Sequence, residues 1–241
     1  MVLPTETARF IIPYGATMLA TLINTRLLSR AMVCASVLST IFIGLPKQTV
    51  LADSKTRVVN ITMEDQFRTR CETGAFLGDV VVLVFADRRG AEAAHELGKK
   101  IHVLFHPTAI SVSDEEWAHQ PVVSPPGWPV DIRPPNVHAI PVACLSEVPR
   151  AMHPVVRARI RKESPEISVW LDYEDIMDHH FGLERGVPSV AILDTRGMVH
   201  SVHVGPFSDE AINSLVTTID EIRQASRPQI ITAATPGALR R

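Results

Sequence analysis

Cysteine is scarce in this chain of 241 residues: Cys34, Cys71 and Cys144 are its only three. So few cannot build a dense disulfide framework. None lies between Cys71 and Cys144. An excess of one charge is missing too. With 24 Lys and Arg against 26 Asp and Glu, the net charge is −2, which gives no long-range pull toward nucleic acid or an anionic membrane. No Cys/His cluster has zinc-ligand spacing, so no metal and no cofactor is expected. What is present is globular. Hydrophobic residues make up 46% and charged residues 21%, leaving room for one ordinary domain once an export segment is set aside.

That segment is read at the N-terminus. Arg26–Arg30 is a short basic stretch, and residues 31–46 are apolar or small throughout. Val50-Leu51-Ala52 then offers small residues at a cleavage site after Ala52. The apolar run is short for a membrane span, which needs about 20 residues. The expected location is outside the cytoplasm, periplasmic or secreted. An uncleaved anchor, the one route to a membrane, and a mitochondrial presequence are the alternatives. Met18 is an alternative start, and Cys34 lacks the small residues that precede a lipidated cysteine. The expected organisation is a leader over 1–52, a domain over 53–225 and a disordered tail over 226–241.

Within the domain, residues 56–71 suggest a strand or hairpin. Val80 to Phe85 is an unbroken, β-branched apolar run, the pattern of a central strand covered on both faces. A helix follows over about 89–99, and residues 101–105 suggest another short strand. Residues 106–136 carry Pro107, Pro121, Pro125, Pro126, Pro129, Pro134 and Pro135. No helix or central strand holds proline that densely, so this is an insertion loop, with one helical turn expected at 113–118. A strand over 137–145 leads to a helix capped by Ser146, with Val148, Met152, Val155, Val156 and Ile160 on its buried face and Pro154 as a kink. Short elements at 167–171 and 175–181 precede a hairpin over 188–204, turned at Asp194–Gly197. Ser208 caps the last helix, whose stripe is Ile212, Leu215, Val216, Ile219 and Ile222.

The order β-α, insertion, β-α-β-α, β-β-α predicts an α/β fold: a mixed sheet with helices on both faces. This order, with three local stretches, resembles the thioredoxin-like superfamily, on its redoxin and peroxiredoxin branch. The stretches are Gly78–Phe85, Gly182–Ser189 (GLERGVPS) and Ile192–Gly197 (ILDTRG). The likeness covers about residues 57–224. It implies that Pro188 is a cis-proline beside the active-site turn. It also implies a reactive cysteine at the strand-to-helix turn, where this chain has Asp87-Arg88-Arg89-Gly90. Aligning Phe85 with the family's strand end puts Gly90 and Ala93 where a two-cysteine motif belongs. Neither forms a thiolate, so classical thiol–disulfide exchange or peroxide reduction is not expected.

Three readings of function follow. The leading one is a non-catalytic binding or partner-interaction module, taking a peptide or protein partner in the groove beside Pro188, with Val187 offering backbone groups to an extended chain. An open groove and a cis Pro188 are its geometric requirements. The second is a redoxin-type thiol oxidoreductase working through Cys71 and Cys144, which pair if the compartment is oxidising; both as plain buried thiols is the alternative. The third is unrelated chemistry, or capture of a small anionic ligand, through Arg88, Arg89 and histidines. The turn sits at a helix N-terminus, where free N–H groups attract anions; Asp87 as a simple cap with two solvated arginines is the competing reading. Of the histidines, His102 and His106 share a face if they lie on a strand, and His179 and His180 follow an acidic run from Asp172.

Overall fold

The computed structural model describes residues 58–228. The leader, its cleavage site after Ala52, Met18, Cys34 and the tail beyond residue 228 lie outside the described residues. Among the described residues, no helix is long and apolar enough to cross a membrane.

The apolar run Val80–Ala86 forms β3, buried at every position. It is an interior strand of a seven-stranded sheet ordered β2-β1-β5-β4-β3-β6-β7. On one side it pairs in parallel with β4 (Val137–Cys144), and on the other antiparallel with β6 (Ser189–Leu193). The hairpin partner β7 (Val199–Val204) closes one edge. β5 (Trp170–Asp172), β1 (Thr62–Asp65) and β2 (Arg70–Glu72) extend the other. Pro141 sits inside β4, but the pairing with β5 begins only at Val142, so its missing N–H falls where the ladder has a free side.

Alternation along β3 divides the core. Val81, Leu83 and Phe85 join Ile140, Val142, Ala191 and Leu193 on one face, under Met177 and Phe181 of α4 (Ile176–Phe181). Val80, Val82 and Val84 join Val190 and Ile192 on the other. There they meet α1 (Ala91–Phe105) and α5 (Asp209–Ala225). The Ser208 hydroxyl caps α5, accepting from the Ala211 N–H at 3.3 Å, and the stripe Ile212, Leu215, Ile219 and Ile222 is buried. Asp194 and Gly197 (φ +75°) turn the β6–β7 hairpin.

Two expectations need correction. Residues 101–105 are not a strand; they complete α1. Ala94, Leu97, Ile101 and Phe105 are buried at three- and four-residue intervals, the helical period, and the β-branched Ile101 and Val103 misled the local reading. The helix after β4 does not start at Ser146. It is α3, His153–Glu163, preceded by a 3₁₀ turn over Arg150–Met152. Pro154 lies in its first turn, where a missing N–H costs nothing, so it opens the helix instead of kinking it. No α3 residue is fully buried, and Met152 and Val155 are 46% and 57% exposed.

The proline-rich insertion is held in place. It contains the 3₁₀ turn Pro107–Ser111 and the one-turn α2 (Asp114–Trp117). Trp128 is buried and donates its indole N–H to the Ile132 carbonyl at 2.7 Å. At the far end the Asp79 carboxylate accepts from the Asn136 N–H at 2.7 Å and lies 2.9 Å from His138 Nε2.

Candidate functional site

The turn after β3 is organised by one carboxylate. Asp87 Oδ1 accepts from the backbone N–H of Arg89 at 3.0 Å, of Gly90 at 3.0 Å and of Gly186 at 3.1 Å. Partial burial pushes this carboxyl up, but the N–H groups of Gly90, Gly186 and Arg89, with the Arg89 charge, outweigh it and leave it below its ordinary value. The N–H groups of Arg89 and Gly90 at the entry to α1 thus already have an internal anion. Arg88 and Arg89 are exposed, and neither side chain forms a hydrogen bond or ion pair among the described residues. Nearby, Arg185 pairs with Glu147.

Gly90 is buried, and its α-carbon faces a wall. A β-carbon added there would stand 2.9 Å from the Val187 carbonyl carbon, 3.0 Å from its oxygen and 3.0 Å from Ala86 Cβ. Those are backbone and core atoms, so no side chain, a cysteine included, fits at residue 90 without moving the 186–188 segment. Ala93, one turn further, is exposed.

The Val187–Pro188 peptide is trans; there is no cis peptide among the described residues. This corrects the expectation for Pro188. Gly186 turns the chain with φ +82°, a conformation that favours glycine. Buried Pro188 then leads straight into β6, as a strand-entry proline does, and its carbonyl accepts from the Gly205 N–H at 3.1 Å. Trans is also the lower-energy isomer by about 0.5–1 kcal/mol. The Val187 carbonyl carbon and oxygen face Gly90, and with a trans bond at Pro188 one of the two geometric requirements of a peptide groove there is not met.

Cys71 and Cys144 are both free. Cys71 is in β2 and Cys144 ends β4, with β1 and β5 between them. Three strand spacings amount to roughly 14 Å, well beyond the ~7 Å Cα separation a disulfide tolerates. Burial raises the Cys71 thiol. Burial, then the carboxylates of Asp172, Asp175, Asp87 and Asp178, pushes Cys144 up to about 12. Asp172 itself accepts from the N–H groups of Glu174, Ile176 and Met177 at 3.1, 3.0 and 2.9 Å, capping α4.

His102 lies in the last turn of α1, not on a strand, and His106 caps its end, with their rings stacked at 4.3 Å. Their nitrogens meet the Trp117 carbonyl at 2.9 Å, the His102 carbonyl at 3.1 Å and Asn136 Oδ1 at 2.9 Å. The pair fastens the insertion to α1. Among the described residues, no group of three or more His, Cys, Asp and Glu side chains is placed to hold a metal ion.

No family model and no curated protein matches the sequence. Solved structures do resemble it. The exposed lipoprotein thioredoxin Etrx1 of Streptococcus pneumoniae is 15% identical, covering 68% of this chain and 99% of its own, with a TM-score of 0.42. A secreted thiol-disulfide isomerase of Corynebacterium glutamicum is 10% identical, covering 68% and 86%, with a TM-score of 0.42. The thioredoxin domain of a Bacteroides vulgatus thiol-disulfide oxidoreductase is 14% identical, covering 69% and 97%, with a TM-score of 0.39. The chain's own topology is a parallel β3-α1-β4 crossover, a third parallel strand, and a closing β6-β7-α5 unit against β3. The domain has a mixed α/β fold around a seven-stranded sheet, and the turn after β3 is Asp87-Arg88-Arg89-Gly90.

Proposed function

We propose that this is an exported, non-redox thioredoxin-like domain that serves as a binding module. The observation that carries the reading is the contact of Val187 with Gly90: the position implied for a reactive cysteine has no room for a β-carbon. The remaining thiols support it, since they lie on strands three places apart and both are held toward the protonated form, whereas the thiolate is the nucleophile in exchange. The leader, read from sequence, is the ground for export.

With Gly90 set against the Val187 backbone, the contact surface is the rim of the turn. Arg88 and Arg89 are exposed and unpaired there, beside half-buried Val187. Two free guanidinium groups suit carboxylate side chains, so the partner is an acidic peptide or protein segment. The test compares the full chain with an Arg88→Ala, Arg89→Ala variant on an immobilised polyglutamate peptide. The expected result is binding that weakens roughly tenfold or more in the variant. Insulin-disulfide reduction and hydroperoxide consumption are run alongside, with no turnover above buffer expected. Turnover that disappears on Cys71→Ser or Cys144→Ser would instead restore the redoxin reading, and unchanged peptide binding would remove the rim from the account.

A further inference from the structure

A second cleft lies away from this turn, under the start of α3. Its volume is about 570 Å³, within the range of small-molecule sites. The β1–β2 hairpin and the end of β5 form its walls, and Met63, Leu171 and Ile176 contribute carbon surface. Three arginines line it: Arg70, Arg150 and Arg157. Arg157 is satisfied. Its guanidinium bonds Glu64 Oε2 at 3.0 Å and the Asp65 carbonyl at 3.0 Å, and its side chain is 16% exposed. It is a fixed part of the wall. His153 and Tyr173 stack at 3.9 Å beside it and are equally fixed.

Arg70 and Arg150 differ. They reach the cleft from separate elements, β2 and the 3₁₀ turn before α3. Both are exposed, and neither side chain has a hydrogen bond or ion pair among the described residues. Glu64 is engaged by Arg157, which leaves Glu174 as the one further carboxylate on the lining. The cleft holds one cation rigidly and presents two further cations with no partner among the described residues. The apolar lining asks for carbon between the charges.

We propose that this cleft binds a small organic acid carrying at least two carboxylates, with Arg70 and Arg150 as its anion-binding residues. Arg157 acts as a positioning residue that keeps the hairpin against α3. The site is independent of the rim at Arg88 and Arg89.

The test uses the full chain, isotopically labelled, with citrate as probe and sodium chloride added to hold ionic strength constant. Saturable amide shifts are expected in β1, β2, β5 and the start of α3. In Arg70→Gln, Arg150→Gln the apparent affinity should fall roughly tenfold for each arginine removed. Both side chains are exposed, so the variant should keep the parent's circular dichroism and melting temperature. Lys99→Gln, at an exposed cation of α1 outside both sites, should leave the titration unchanged. Shifts in the cleft that do not saturate, or that persist in the first variant, would overturn the proposal. Equally tight binding of inorganic phosphate would overturn the organic-acid assignment.

Discussion

Arg223, near the end of α5, donates to the Val123 carbonyl at 2.6 Å and the Pro135 carbonyl at 3.0 Å. Its side chain is 1% exposed, sits 5.5 Å from the Phe105 ring centre, and pairs with Asp220 at 2.9 Å. One side chain therefore ties the middle and the C-terminal end of the proline-rich insertion to the final helix. Arg223→Met should destabilise the domain by about 1–3 kcal/mol, because it removes the donor of two partly buried carbonyls and the partner of a partly exposed carboxylate. Urea unfolding measures the loss. Hydrogen exchange should accelerate first at Val123, whose N–H bonds the Phe105 carbonyl at 2.8 Å.

Gly90→Ala tests the closed turn. The added carbon must displace the Val187 backbone, so a loss of about 1–3 kcal/mol is expected on the overpacking scale. Gly90→Cys should lose at least as much and gain no insulin-reducing activity. An unchanged stability in both would mean that residues 186–188 yield freely.

Asp87→Ala removes the acceptor shared by three N–H groups, and about 1–2 kcal/mol should go with it, as for a strong helix cap. The sign with pH follows from the lowered carboxyl. The Asp87 contribution is complete above its ordinary value of 3.8 and is lost as pH falls through the lower folded-state value. The difference between parent and variant in urea midpoints should therefore shrink only in strong acid.

His102 sets a different window. Burial first, then His106 and His138, lowers it from 6.5 to about 4, although the Trp117 carbonyl pulls the other way. Between those two values the unfolded chain binds a proton there that the folded chain refuses. Stability should thus be level above 6.5 and fall as pH drops toward 4, by at most about 1.4 kcal/mol per pH unit from this group. His102→Gln should flatten that slope in a pH series of unfolding curves.

The thiols give a chemical check. Cys144, pushed up to about 12, should react with iodoacetamide at neutral pH far more slowly than in urea, where its value returns toward 9.0. Cys71, also raised, should be slowed as well. Fast alkylation of native Cys144 would contradict the burial described for it.

The sheet was legible where pattern and burial agree. Val80–Phe85, the Asp194–Gly197 turn and the Ser208 cap each carry a local signal that tertiary structure has no reason to override. Residues 101–105 misled because Ile101, Val103, Leu104 and Phe105 look alike on a strand and on a helix; only the spacing back to Ala94 and Leu97 separates the two. α3 misled for the opposite reason. Its apolar residues have helical spacing, but Arg157 and Arg161 dock it by donating to the carbonyls of Asp65 and Gln66, a polar attachment that hydropathy cannot signal. The closed turn was half visible. Sequence shows that cysteine is missing from 87–90, but not that Val187 occupies the space, because that depends on a contact across the sheet. The arginine-lined cleft left no trace, since Arg70, Arg150 and Arg157 are scattered singly along the chain.

The bond from the Gly186 N–H to Asp87 joins residues 99 positions apart. The first turn of α1 is therefore not a local structure in kinetic terms. Its carboxylate acquires its third donor only after β6 has crossed to β3, a contact of long sequence separation that forms late in such topologies. α1 itself can assemble early on its own stripe. Folding-rate measurements on Asp87→Ala should then show faster unfolding with a nearly unchanged refolding rate, marking this turn as a seal set last on a domain already built.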